Sequence, residues 1–135
     1  MNNLAAALFA QGELAEAKDL LETALELRRR LLGEEHPDTF TSMDNLAGTL
    51  FAQGELVEAR DLQETVLEVS RRLLGEEHPD TLTSMNNLAQ MLKAQGDLDG
   101  ARALVTSGAA VARRTLGEAV PVRQALEQFA KELGM

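Results

Sequence analysis

Apolar residues along the chain recur three or four positions apart, the period of a helix buried on one side. Between Pro37 and Ala52 they fall at Phe40, Met43, Leu46, Ala47 and Leu50. The other side of that segment carries Thr41, Asp44, Asn45, Gly48 and Phe51. From Glu55 to Leu74 a broader apolar face holds Leu56, Ala59, Leu62, Val66, Leu67, Val69 and Leu73. Acids come early in this second segment (Glu55, Glu58, Asp61) and bases late (Arg71, Arg72), the order that complements a helix dipole. Gly54 separates the two segments and reads as the turn of a helical hairpin. Gly75 reads as a C-terminal cap, and Pro79-Asp80 as a fresh helix start. Neither helix buries its apolar face alone, so stacked pairs must share one core.

The pattern repeats. Asn3-Leu4-Ala5 returns as Asn45-Leu46-Ala47 and Asn87-Leu88-Ala89, and Gly12 returns as Gly54 and Gly96. Leu32 to Thr39 returns complete from Leu74 to Thr81, so every step is 42 residues, as Asn3 to Asn45 shows. The first two copies match at roughly three positions in four, far above chance for a period of this length. Repeats run from about 1 to 40, 41 to 82 and 83 to 124 within a single domain spanning residues 1–135. The third copy departs from the first two. Gly100 and Gly108 stand where the second copy has Glu58 and Val66, each at a helix-propensity cost of up to about 1 kcal/mol. A last helix, from about 122 to 133, puts Ala125, Leu126, Phe129 and Leu133 on one face and reads as a solvating cap on the stack. The expected fold is all-α, with about seven helices counting one before Gly12.

Composition agrees and sets limits. Leu, Ala, Glu and Arg dominate, and these are good helix formers. The net charge of −9 argues against a general nucleic-acid binder, which needs a basic stripe for phosphates, and against an anionic membrane surface. The chain contains no cysteine, so disulfides, zinc–thiolate sites and cysteine nucleophiles are excluded. No apolar run approaches the length of a membrane span, and the first residues lack a signal-peptide pattern. A cytoplasmic location is the default expectation.

Asn45-Leu46-Ala47, Leu50, Gly54, Ala59 and Val66 resemble the packing residues of tetratricopeptide repeats. The 42-residue length with Leu-Gly-Glu-Glu-His-Pro-Asp-Thr resembles the kinesin-light-chain variety, which also occurs in bacterial repeat proteins, often attached to regulatory ATPases. The resemblance implies a right-handed α-solenoid of antiparallel helix pairs. The first helix of each pair, the A helix, would line a concave groove that holds a peptide or a partner's helix. Carried over position by position, the groove residues would be Asn2, Asn3, Ala6 and Phe9 in the first repeat. They would be Thr41, Asp44, Asn45, Gly48 and Phe51 in the second, and Thr83, Asn86, Asn87, Gln90 and Lys93 in the third. An Asn amide both donates and accepts, so it pairs with a peptide backbone without demanding a particular side chain. Phe9 and Phe51 would be apolar anchors. Lys93 is the one groove cation, beside Asp44, so a clamp for a terminal carboxylate is not expected.

The remaining candidates read as scaffold. His36 and His78 sit one repeat apart, too distant to share a metal whose ligands must converge within about 2–2.6 Å. Arg28-Arg29-Arg30, Arg71-Arg72 and Arg113-Arg114 read as dipole compensation and pairing with acids one helical turn away. No catalytic constellation and no cofactor motif is present, so the chain is expected not to be an enzyme. Two further readings stay open. One is a spacer or homo-oligomer, associating through a first helix pair that lacks the turn equivalent to Pro37–Ser42. The other is a sensor module cut from a larger regulatory ATPase.

Overall fold

A computed structural model describes residues 14–33 and 35–135. The helix expected before Gly12, with Asn2, Asn3, Ala6 and Phe9, lies outside them. The described residues contain six helices: α1 (Leu14–Leu32), α2 (Pro37–Ala52), α3 (Leu56–Leu74), α4 (Pro79–Ala94), α5 (Leu98–Thr115) and α6 (Pro121–Glu132). No strand occurs among them. The sequence places the boundaries of α2, α3, α4 and α6 to within a residue, because the punctuation is local. Pro37 and Pro79 occupy the first turn, where a missing N–H costs nothing. At Gly54 (φ 81°) the chain turns left-handed, and the Glu55 N–H returns to the Leu50 carbonyl at 3.0 Å. A side chain would strain that backbone.

The histidines do more than mark the linker. His36 and His78 are the N-caps of α2 and α4, and each Nδ1 accepts the backbone N–H two residues on, from Asp38 at 3.1 Å and Asp80 at 3.0 Å. At α5 the cap is a carboxylate instead: Asp97 accepts the Gly100 N–H at 2.9 Å.

The chain divides into two compact units, Met1–Val69 and Ser70–Met135. In the first, α1 packs on α2. Ala17, Leu21, Ala24 and Leu25 of α1 are buried, as are Met43, Leu46, Ala47 and Leu50 of α2. Each large side chain removed from water contributes about 1.5–3 kcal/mol. Lys18 ties α1 to the start of α3 through Glu55 at 2.9 Å, and this hydrogen bond raises the Lys18 pKa. In the second unit α5 packs on α4 and α6, and α4 also touches α6. Leu82, Met85, Leu88, Met91, Val105, Leu126 and Phe129 form its core.

Several positions differ from the apolar pattern. Leu73 was expected on the buried face of α3 but is 41% exposed, in a last turn, Arg71–Leu74, whose four residues are all exposed. Ala125 is exposed beside the buried Leu126, one position further round α6. Conversely, Gln63 and Ser70 are buried, the latter sharing a hydrogen bond of 2.8 Å with Thr81 Oγ1. The arginine pairs also find other partners than acids one turn away. Arg71 meets Glu76 in the following linker at 3.0 Å, Arg114 meets Glu77 at 3.5 Å, and Arg113 meets Glu127 of α6 at 3.5 Å.

The two unexpected glycines have steric reasons. A Cβ on Gly100 would stand 2.6 Å from the Asp97 carboxylate that caps its helix. A Cβ on Gly108 would stand 3.3 Å from Leu126 Cδ2 and 3.6 Å from Met85 Cε. Gly108 is therefore where α6 seats its buried leucine against α5.

Candidate functional site

Each A helix presents one polar strip, built by residues three or four apart. On α2, in the first unit, Thr41, Asn45 and Gly48 are exposed, and Asp44 and Phe51 are half-buried. Thr41 donates to the Pro37 carbonyl at 3.0 Å, so its remaining capacity toward a ligand is as an acceptor. Nothing lies within 4 Å of a Cβ built on Gly48. Internal packing therefore does not demand a glycine there, although glycine in a helix interior costs about 1 kcal/mol against alanine. Between Asn45 and Phe51 the strip carries no side chain at Gly48, with the exposed Asn45 on one side and the half-buried Phe51 on the other.

On α4, in the second unit, Thr83, Gln90 and Lys93 are exposed and Asn87 is half-buried. Thr83 repeats the local bond of Thr41, donating to the Pro79 carbonyl at 3.0 Å. Asn86 is only 7% exposed, and its Oδ1 is buried and accepts no hydrogen bond from the protein. Leaving such an oxygen unpaired costs about 1–3 kcal/mol. Lys93 extends over the Phe129 ring of α6, with Nζ 5.6 Å from the ring centroid. That geometry is a cation–π contact, so Lys93 is partly committed to holding α6.

Within each unit the strip residues named from the sequence share one helix face. That alternation of Thr, Asn or Asp, a small or amide residue, and Phe or Lys offers hydrogen-bond donors and acceptors with little fixed charge. Such a surface suits a neutral main chain better than a phosphate or a metal. Among the described residues no group of three His, Cys, Asp or Glu stands together to hold a metal ion. No described helix is long and apolar enough to cross a membrane.

Sequence reasoning missed the burial of Asn86 and the stacking of Lys93. The available signal was Phe129: it marks the only aromatic of the last helix, and a lysine near an aromatic on a packed neighbour is a recurrent pairing.

The tetratricopeptide repeat family model matches residues 1–56 and 41–114 of the chain. Two solved structures of the nearly identical TPR-like repeats of a Podosopora anserina protein assigned as a kinesin light chain, one of them a point variant, are each 30% identical to it. Their TM-scores are 0.89 and 0.88, over 98% of this chain and 62% and 63% of theirs. The structure of BtubC (BKLC) from P. vanneervenii has the same fold, with a TM-score of 0.82 at 22% identity, over 98% of this chain and 61% of that one. The chain thus spans about three fifths of the length of these solved structures. None of the curated proteins compared with it matches in sequence.

Proposed function

The chain belongs to the tetratricopeptide repeat family, of the kinesin-light-chain-like type, and from that premise we propose that it is a non-catalytic module that holds a peptide or a partner's helix along its A-helix faces. Repeats of this family generally mediate protein–protein interaction. The observation that carries the reading here is the α2 strip of exposed Asn45 and Gly48 and half-buried Phe51, an uncharged hydrogen-bonding and aromatic surface where packing does not call for the glycine. In the first unit Asn45 pairs with a ligand's backbone beside the open space at Gly48 and the ring of Phe51; in the second unit Asn87 offers the same pairing. Asn2, Asn3, Ala6 and Phe9 would continue the strip at the first repeat. The partner is a protein, with no nucleic acid, membrane or cofactor, and the place of action is the cytoplasm.

Pull-down from the source organism, with the wild-type chain and the Asn45→Ala/Asn87→Ala variant side by side, tests this. A partner retained by the first and lost by the second, at unchanged far-UV circular dichroism, is the expected result. Equal recovery by both chains would remove the A-helix strip from consideration.

A second reading is self-association. Leu31 of α1 is 79% exposed, with Leu27 and Leu32 also exposed beside it, an unusual amount of apolar side chain for one helix end. Light scattering over a concentration series decides it: a constant monomer mass would refute association.

A further inference from the structure

We infer that the starts of α2 and α4 are acid-sensitive: each is held by a histidine cap that exists only while the ring is neutral, so proton uptake releases the first turn of the helix. The bond is the same in both. His36 Nδ1 accepts the Asp38 N–H at 3.1 Å, and His78 Nδ1 accepts the Asp80 N–H at 3.0 Å. Accepting at Nδ1 places the single ring proton on Nε2, whereas a protonated imidazole donates from both nitrogens. Cap and second proton therefore exclude one another. Histidine is the side chain that ordinarily changes charge between about pH 5 and 8. The chain also holds its own contrast. The Asp97 carboxylate that caps α5 ordinarily stays ionised over that range and still accepts. Val120 stands one repeat after His78 and gives α6 no side-chain cap. Of these four helix starts, those of α2 and α4 carry the titrating cap.

A charged ring would stand at the positive end of the helix dipole, which disfavours it. Carboxylates nearby would favour it, but most are engaged elsewhere. Beside His78, Glu76 is paired with Arg71 of α3 at 3.0 Å and Glu77 with Arg114 of α5 at 3.5 Å. Asp80 remains, with Oδ2 4.0 Å from Nδ1. Next to His36, Glu35 has a partner of its own, and the Arg28 guanidinium of α1 donates to the Asp38 carbonyl at 3.0 Å. Among the described residues His36 has no carboxylate at ion-pair distance, so the start of α2 is the more sensitive of the two. Thr41 and Thr83 donate to the Pro37 and Pro79 carbonyls, each at 3.0 Å, so the released turn carries the first residue of each polar strip. The inference concerns the helix starts and stands whether or not those strips hold a ligand.

The test is a titration of the nitrogen-15-labelled full chain by NMR, from about pH 8 to about pH 5. The amide protons of Asp38 and Asp80 should move upfield in step with the imidazole ring nitrogens, as each loses its acceptor. Rings that titrate while both amides stay fixed overturn the proposal. Urea unfolding of the wild type beside His36→Asn/His78→Asn, whose amide oxygens accept at every pH, is the second readout. Across that range the folded-to-unfolded ratio of the wild type should fall relative to that of the variant by about threefold or more. Asp80→Asn, which removes the compensating carboxylate, should enlarge the fall. Parallel profiles overturn the proposal. So does a wild type that loses less than the variant, since Asp80 would then hold the protonated ring and keep the turn in place.

Discussion

Gly108 is the position where packing between α5 and α6 is most sharply determined. A Cβ there already meets Leu126 Cδ2 at 3.3 Å and Cδ1 at 3.5 Å, tighter than ordinary contact. Gly108→Val restores the residue of the second repeat but drives two further methyl groups toward a leucine that is fully buried. Overpacking of that kind costs about 1–3 kcal/mol, partly offset by a few tenths gained in helix propensity. Leu126→Ala alone removes a buried side chain and costs about 2–5 kcal/mol. In the double variant the valine methyls enter the space that the leucine leaves. The pair should therefore be less destabilised than the sum of the singles, by about 1 kcal/mol or more. Urea unfolding followed by circular dichroism gives the global values. Amide exchange in α6 gives the local one, since a repeat array need not unfold as one unit and its last helix can detach first. Additivity within about 0.5 kcal/mol would mean that the two positions do not share the space inferred from the geometry.

Other outcomes follow from single contacts. Leu46→Ala, at a position only 6% exposed, should cost about 2–5 kcal/mol in urea unfolding; a loss near zero would mean that the buried face of α2 is rotated from that described. His78→Ala should cost about 0.5–2 kcal/mol, while His78→Asn, which still accepts the Asp80 N–H, should recover most of it; equal losses in both would exclude a capping role. The hydrogen bond from Arg123 holds the Glu127 carboxyl below its ordinary value of 4.5. Its contribution is complete above that value and is lost as pH falls through the lower folded-state value, so Glu127→Gln should flatten the acid side of the stability profile between them. The effect should be small, because the pair is solvent-screened, and an unchanged profile would show that the bond does not persist in solution.

Most of the architecture was legible because its signals are short-range. A proline at a first turn, a glycine at a hairpin and a helical apolar period each act within a few residues, and a 42-residue repeat displays them several times over. What was not legible depends on neighbours far along the chain. Ser70 and Arg28 occupy the same place in the period, yet one is buried against Thr81 and the other reaches the Ser42 hydroxyl at 2.7 Å and the Asp38 carbonyl at 3.0 Å. An apolar count passes over both. Lys93 looked like a groove residue because its helix face is right; only the position of Phe129 shows that its charge is partly spent on α6.

The period itself sorts scaffold from site, though less simply than by asking which positions vary. A change from one copy to the next carries functional information only if the structure does not answer it. Gly100 is answered by the Asp97 cap and Gly108 by Leu126, and both changes belong to folding. Gly48 has no such answer: the space beside it is open. Selection for stability alone would refill that position with a side chain its repeat neighbours carry, since the refill is sterically free and gains helix propensity. If it is kept open by a ligand, Gly48→Gln, copying Gln90, should stabilise the chain by about 0.5–1 kcal/mol while abolishing binding. A destabilised Gly48→Gln would show that the glycine is a packing requirement, and its case as a ligand position would end there.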